Sequence, residues 1–247
     1  MWAGDAALRA DQVPLAEQMA RRILDTDPWE WRGVWLQGLA ALSRADHTAA
    51  VAAFNAVYGQ LPGELAPKLA LAAACEAADE AAVAERLYNT CARTDAAYVA
   101  SGQFGLARIA ARAGQRDASL QALDRIPPTS RAFGDARRAR ALLLASALDP
   151  AHALEDLGRA ANEIEQSSMQ PVERADVRIR LLESALAHVK AHGPQSGVQI
   201  EGTPAVEAPL RRSLEAAYRE AARLSPDRAR RVQLVDTANA VRPRTLV

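Results

Sequence analysis

Two cysteines, Cys75 and Cys91, are all the sulfhydryl chemistry in 247 residues. That excludes a disulfide framework, and without histidine beside them it excludes a four-ligand zinc site. Both fall at positions expected to face the inside of a helical hairpin, so they read as buried thiols rather than a disulfide. Aromatic residues are scarce at 4%, and β-branched runs are short. Lysine is nearly missing: of 30 basic residues only Lys68 and Lys190 are lysines, the rest being arginine. Acids number 30 as well, so no net field attracts nucleic acid or an anionic membrane. No charge-free run approaches the roughly 20 apolar residues a bilayer span needs, and no signal peptide is visible. A soluble, cytoplasmic chain or part of one is expected, with no cofactor.

What is abundant is alanine, leucine and arginine, a composition that favours helix throughout. The stretch from Trp31 to Pro62 holds two amphipathic patterns joined by a polar turn, Ser43-Arg44-Ala45-Asp46. In the first, Trp31, Val34, Trp35, Gly38, Leu39 and Leu42 recur at helical spacing; in the second, Ala50, Ala53, Phe54, Val57 and Leu61 do so. Such a hairpin cannot bury both apolar faces alone and needs copies beside it. The copies are present. Steps of 34 residues carry Gly38, Ala50, Phe54, Val57 and Pro62 back to Gly4, Ala16, Ala20, Ile23 and Pro28. The same step leads forward to Ala72, Ala84, Tyr88, Cys91 and Ala96, and a slip of one residue gives Ala107, Ser119, Leu123 and Ile126 before Pro127. Small residues let helix backbones approach, and a bulky residue one turn on fills the space beside them. The pattern resembles the tetratricopeptide repeat, which implies an all-α solenoid of antiparallel hairpins.

The register divides the chain. Residues 1–128 read as about three and a half hairpins, opening on a truncated one whose second helix is Pro14–Leu24. An array that opens on a half-formed hairpin suggests that something precedes Met1 in the intact protein, or that the chain begins in a linker. Gly114 suits the left-handed residue that closes a helix. Residues 129–247 read as a continuing helical array: Asp135–Leu148, a helix from Pro150 to about Ile164, a long helix from Pro171 to Val189, an extended loop over 192–209, and two capping helices.

Tetratricopeptide arrays bind partners along the first helix of each hairpin. Projecting the register places Arg32, Trp35, Leu39 and Ser43 on that face, then Leu69, Ala73 and Ala77 with Glu76 beside them, then Phe104, Arg108 and Arg112. Arg32, Arg108 and Arg112 either clamp carboxylates of a bound peptide or are solvated and locally paired. Trp29, after a helix-ending proline, either packs or meets a neighbouring domain. Arg137, Arg138 and Arg140, like Arg228, Arg230 and Arg231, are interleaved with acids or alanine and read as solvated helix faces. His188 and His192 have the i, i+4 spacing of a chelating pair but no third ligand, so helix-end histidines are favoured.

Several strings are more specific. The run Leu61-Pro62-Gly63-Glu64-Leu65-Ala66-Pro67-Lys68-Leu69-Ala70-Leu71-Ala72-Ala73 is similar to the C-terminal repeat domain of the actinobacterial serine/threonine protein kinase G family. So are Phe104-Gly105-Leu106-Ala107-Arg108, Pro127-Pro128-Thr129-Ser130-Arg131 and the closing Leu234-Val235-Asp236-Thr237-Ala238-Asn239-Ala240-Val241-Arg242-Pro243. In that family a rubredoxin-like module and a kinase domain precede the repeats. The resemblance implies a regulatory domain that supports dimerisation, stabilises the kinase and recruits a forkhead-associated substrate protein, with a role in 2-oxoglutarate and glutamate metabolism. The kinase machinery itself has no counterpart here. Gly102-Gln103-Phe104-Gly105 lacks the third glycine of a phosphate loop, Phe133-Gly134-Asp135 has the wrong order, and no histidine is followed by Arg-Asp. A free-standing repeat adaptor without a kinase is the alternative.

Overall fold

The computed structural model describes residues 2–146, 149–167 and 169–243; the side chains of residues 2–5, Gly4 among them, and of residue 196 lie outside that description. The described residues are helical except for one short β-hairpin, and they form two compact units, Met1–Ile126 and Pro127–Val247.

The first unit is a run of helices α1 (Trp2–Arg9), α2 (Val13–Thr26), α3 (Trp31–Ser43), α4 (His47–Gln60), α5 (Leu65–Ala77), α6 (Ala81–Thr94), α7 (Val99–Arg112) and α8 (Arg116–Asp124), with a 3-10 turn at Ala96–Tyr98. From α1 to α8, each helix packs against the next one in this unit. This is a stack of hairpins, and α1 completes the one that the sequence presents as truncated.

Small residues sit where the backbones meet. Ala16, Ala20, Ala50, Ala72 and Ala84 are fully buried, as are the bulky Phe54, Val57 and Cys91. A methyl group built on Gly38 would stand 2.7 Å from the Phe54 ring, and one on Gly105 would collide with the Tyr88 ring. In α4 and α6 an aromatic thus lies flush against a glycine of a first helix, Phe54 against α3 and Tyr88 against α7. At the last repeat the small pair Ala107 and Ser119 is joined by a hydrogen bond, the Ser119 hydroxyl donating to the Ala107 carbonyl at 2.8 Å.

Every hairpin turn is closed alike. Asp11, Ala45, Asp79 and Gly114 adopt left-handed φ of 58°, 57°, 65° and 70°. In each case the next residue's amide donates back across the turn: Gln12 to Ala7, Asp46 to Ala41, Glu80 to Cys75 and Gln115 to Ala110, at 2.8–2.9 Å. This is the Schellman closure of a helix C-terminus. Only the last of the four uses glycine.

The apolar face of α3 is wider than the stripe read from the sequence. Trp31, Trp35 and Leu39 are half-buried, whereas Gly33, Leu36, Ala40 and Ala41 of α3 are buried outright. A helix inside a stack is covered from two sides, so a single apolar stripe underestimates its burial.

The second unit contains α9 (Phe133–Leu144), α10 (Ala153–Gln166), α11 (Pro171–His192), strands β1 (Gln195–Ile200) and β2 (Thr203–Ala205), α12 (Glu207–Leu224) and α13 (Arg228–Val241). Ala147 and Leu148, expected to end α9, lie outside the described residues. The stretch 192–209 is not an extended loop. Ile200 pairs with Thr203 and Gln199 with Pro204, around a two-residue turn, Glu201-Gly202, with φ of 48° and 70°. The hairpin packs on α10, α11 and α12 and buries Ile200 and Ala205 completely. Leu144, Leu157, Leu181, Leu182, Leu210 and Leu214 are the other large, fully buried side chains of this core. Val232 of α13 is 54% exposed, and only Ala238 of that helix is fully covered, as a capping helix requires.

The arginines of α9 are not a solvated face. Arg140, 6% exposed, and Arg137 both grip the buried Glu163 of α10, with closest contacts of 2.9 Å, and Arg138 reaches Glu173 at 3.2 Å. The interleaved pattern hid these partners because they lie on other helices.

Two substitutions test the packing and the turns. Ala45→Gly relieves a left-handed alanine and should raise the unfolding free energy by about 0.5–1 kcal/mol in urea titration. Gly38→Ala forces the Phe54 ring aside and should lower it by about 1–3 kcal/mol.

Candidate functional site

The first helices α5 and α7 of neighbouring hairpins pack side by side. α5 is almost wholly apolar; after Lys68 near its start, its one charged residue is Glu76 near its end. Glu76 is 6% exposed, and an ionised carboxylate there needs a full set of donors. Tyr88 and Arg108 supply three of them, and Arg112 adds its charge. Tyr88 of α6 donates its hydroxyl to Oε2 at 2.7 Å. Arg108 of α7 lies edge-on, donating from Nε to Oε1 at 2.8 Å and from Nη2 to Oε2 at 2.7 Å. One turn along, Arg112 donates to the Glu76 carbonyl at 3.3 Å, and its Nη1 stands 3.6 Å from Oε1.

Burial pushes the Glu76 carboxyl up, but the hydrogen bonds from Arg108 and Tyr88 and the charges of Arg108 and Arg112 outweigh it and hold it below its ordinary value. Burial, then the hydrogen bond to Glu76, pushes the Tyr88 phenol up. The hydrogen bonds to Glu76 raise the Arg108 guanidinium further. At neutral pH the Glu76 carboxylate and the Arg108 guanidinium are therefore charged, and the Tyr88 phenol keeps its proton.

Of the residues projected onto the binding face, the structure brings Glu76, Arg108 and Arg112 together, and Phe104 lies half-buried one turn before Arg108. It does not bring Arg32 to them. That side chain pairs with Glu30 of its own turn at 2.8 Å and lies over the Trp31 ring at 4.8 Å. Trp35 meets the Phe54 ring edge-on, with centroids 5.2 Å apart, and Leu39 is half-buried. Sequence reasoning missed Tyr88 as a member of the cluster, since its ring alone satisfied the repeat pattern. The signal was a lone acid inside an alanine helix, which must find partners nearby.

Elsewhere the expected candidates are less organised. Trp29 is 80% exposed, and its amide donates to Asp27 at 2.9 Å. The rings of His188 and His192 lie 4.7 Å apart, and His188 is depressed by burial and then by its neighbour. Among the described residues no group of three His, Cys, Asp or Glu could hold a metal ion. Cys75 and Cys91 are both free and buried, with burial pushing the Cys75 thiol up to about 11.

The acid limb of stability checks the cluster. A carboxyl held low in the folded state contributes stability that is complete above its unfolded value, about 4.3, and is lost as pH falls through the lower folded value. Wild-type melting temperature should therefore fall in that window, and Glu76→Gln should flatten the fall while melting lower at pH 7. Tyr88→Phe, which keeps the ring and removes one donor to a charged group, should cost about 1–2 kcal/mol at pH 7.

Comparison with known proteins places this architecture. A family model described as the protein kinase G tetratricopeptide repeat matches residues 5–245. The serine/threonine-protein kinase PknG of Mycolicibacterium smegmatis is 39% identical over 92% of this chain and 29% of its own length. That of Mycobacterium leprae is 37% identical, over 96% of this chain and 31% of its own. The chain thus spans about a third of the curated relatives it matches. A tetratricopeptide repeat protein from Parabacteroides merdae, 10% identical, superposes with a TM-score of 0.53 over 96% of both chains, a likeness of fold alone. Stacked hairpins with small residues at their contacts, and a match from one end to the other, lead to one conclusion: this chain belongs to the protein kinase G tetratricopeptide-repeat family.

Proposed function

We propose that the chain is the non-catalytic regulatory and interaction domain of a protein kinase G-like serine/threonine kinase, acting in the cytoplasm. The observation that supports this best is the shape of the match: nearly all of this chain aligns, and it aligns to less than a third of each kinase. Its work is to hold proteins together through rigid helix faces. Partners dock on the first-helix faces that carry Arg32, Trp35, Leu39, Glu76, Phe104, Arg108 and Arg112. The partners are the kinase region itself, a second copy of the chain, and a forkhead-associated substrate protein, in service of 2-oxoglutarate and glutamate metabolism. The sequence carries no His-Arg-Asp or Asp-Phe-Gly string, and the function proposed needs none. Among the described residues no helix is long and apolar enough to cross a membrane.

The test is association. Titrated calorimetrically with the kinase region of a protein kinase G relative, the purified chain should bind saturably and slow that region's thermal inactivation. Incubated alone with nucleotide and a phosphorylatable peptide, it should transfer no phosphate. Absence of binding, or transfer by the chain alone, overturns the reading.

A further inference from the structure

The guanidinium of Arg108 has two edges, and only one is in use. Its inner edge, Nε and Nη2, is locked on Glu76, with Nη2 also 3.3 Å from the Tyr88 hydroxyl. Its Nη1 has no partner among the described residues, and the side chain is 51% exposed. Arg112 beside it is 61% exposed and makes only the longer contacts to Glu76. Two positive groups therefore share one negative one, and the negative one is buried beneath them. Both guanidiniums face solvent with N–H donors left unused.

The arrangement differs from the other arginine pairs of this unit. Arg32 is matched by Glu30 and Arg44 by Glu17, one charge against one. In the second unit Arg137 and Arg140 also meet at the Glu163 carboxylate, but there the side chains are 26% and 7% exposed. That cluster is closed, and its work is structural. The cluster on α5 and α7 is open.

We propose that Arg108 and Arg112 form an anion site that receives the carboxylates of an acidic segment in a partner protein, with Glu76 as its positioning residue. This rests on the interaction-domain reading above and names the chemistry of one docking point. A carboxylate meets guanidinium best in the plane of the fork, through paired N–H donors. Glu76 fixes that plane from below, so Arg108 gives up little rotamer freedom when a ligand arrives. Arg112, one helical turn on, reaches the second oxygen or the next acidic side chain. Phe104, half-buried one turn to the other side, offers an apolar edge against which the ligand's methylene groups lie.

Fluorescence anisotropy with labelled hexaglutamate, and with hexaglutamine as the uncharged counterpart, tests it. Wild type should bind the acidic peptide and not the neutral one, and binding should weaken with salt. Arg112→Ala should weaken it about tenfold, with Arg112→Lys between, because lysine restores charge but not the fork. The melting temperature should hardly move, since Arg112 is the outer member. Arg108→Ala would strand Glu76, so it is paired with Glu76→Gln, and that double variant should fold and lose the peptide. Equal affinity for both peptides, or for wild type and Arg112→Ala, overturns the site. A phosphoserine peptide that binds where hexaglutamate does not overturns the carboxylate assignment. If hexaglutamate fails while association with the kinase region persists, only this inference falls; if both fail, the interaction-domain reading falls with it.

Discussion

The structure rests on how closely two helices can approach. Side chains normally hold helix axes 8–10 Å apart, and only glycine, alanine or serine at the crossing lets backbones come nearer. In the first unit those residues recur with the repeat, and each close approach leaves a space beside it that a ring or branched chain fills. Phe54 against Gly38 and Tyr88 against Gly105 are the two fullest examples. Once these crossings are fixed, the hairpins can stack in only one register, and the positions of all other side chains follow.

The candidate site is one of those consequences. The Tyr88 ring is held by Gly105 of α7, which aims its hydroxyl toward the end of α5 where Glu76 is buried. Arg108, one turn beyond Gly105 on α7, is carried to the same place by the same contact. A phenylalanine would serve the packing equally, as Phe54 does in the preceding repeat. The hydroxyl is thus an addition to the repeat pattern, and it exists beside an acid that would otherwise be short of donors. Packing and electrostatics meet in a single residue.

Much of this was legible in the sequence, and the failures have physical reasons. The 34-residue period and the small-and-bulky alternation gave the all-α stack because they encode contacts between neighbours in the chain. The left-handed turns at Asp11, Ala45 and Asp79 were not seen, since glycine is the usual marker and only Gly114 carries it. Arg32 was grouped with Arg108 and Arg112 by register alone; its own Glu30, two residues away, claims it first. The β-hairpin was read as loop because Gly, Pro and Gln dominate its composition. The local marker was weak: Gly202 suits a tight hairpin turn, but Glu201 stands where Asn, Asp or Gly is the usual residue. Ion pairs across helices were the least legible of all, because no local pattern says which distant acid an arginine will meet.

The second unit shows what happens when the repeat constraint is relaxed. α11 runs for 22 residues, far beyond a repeat helix, and no run of small residues keeps step along it. Its neighbours are held instead by long arginines. Arg178 of α11 bridges Glu201 of the hairpin at 2.7 Å and Glu220 of α12 at 3.1 Å, and Arg230 of α13 reaches back to Asp176 at 2.9 Å. Such pairs span gaps that an alanine contact would have closed, and they work at varied separations because the guanidinium sits on a long, flexible stem. Exposed members contribute little stability singly, so the leucine core and the buried Ile200 still carry most of it. What the ion pairs supply is choice of partner: each arginine accepts only the acid its geometry can reach. That accords with a 34-residue period that fades near Thr129 while helices continue. A stack built on small residues needs a strict repeat; one pinned by forked cations does not.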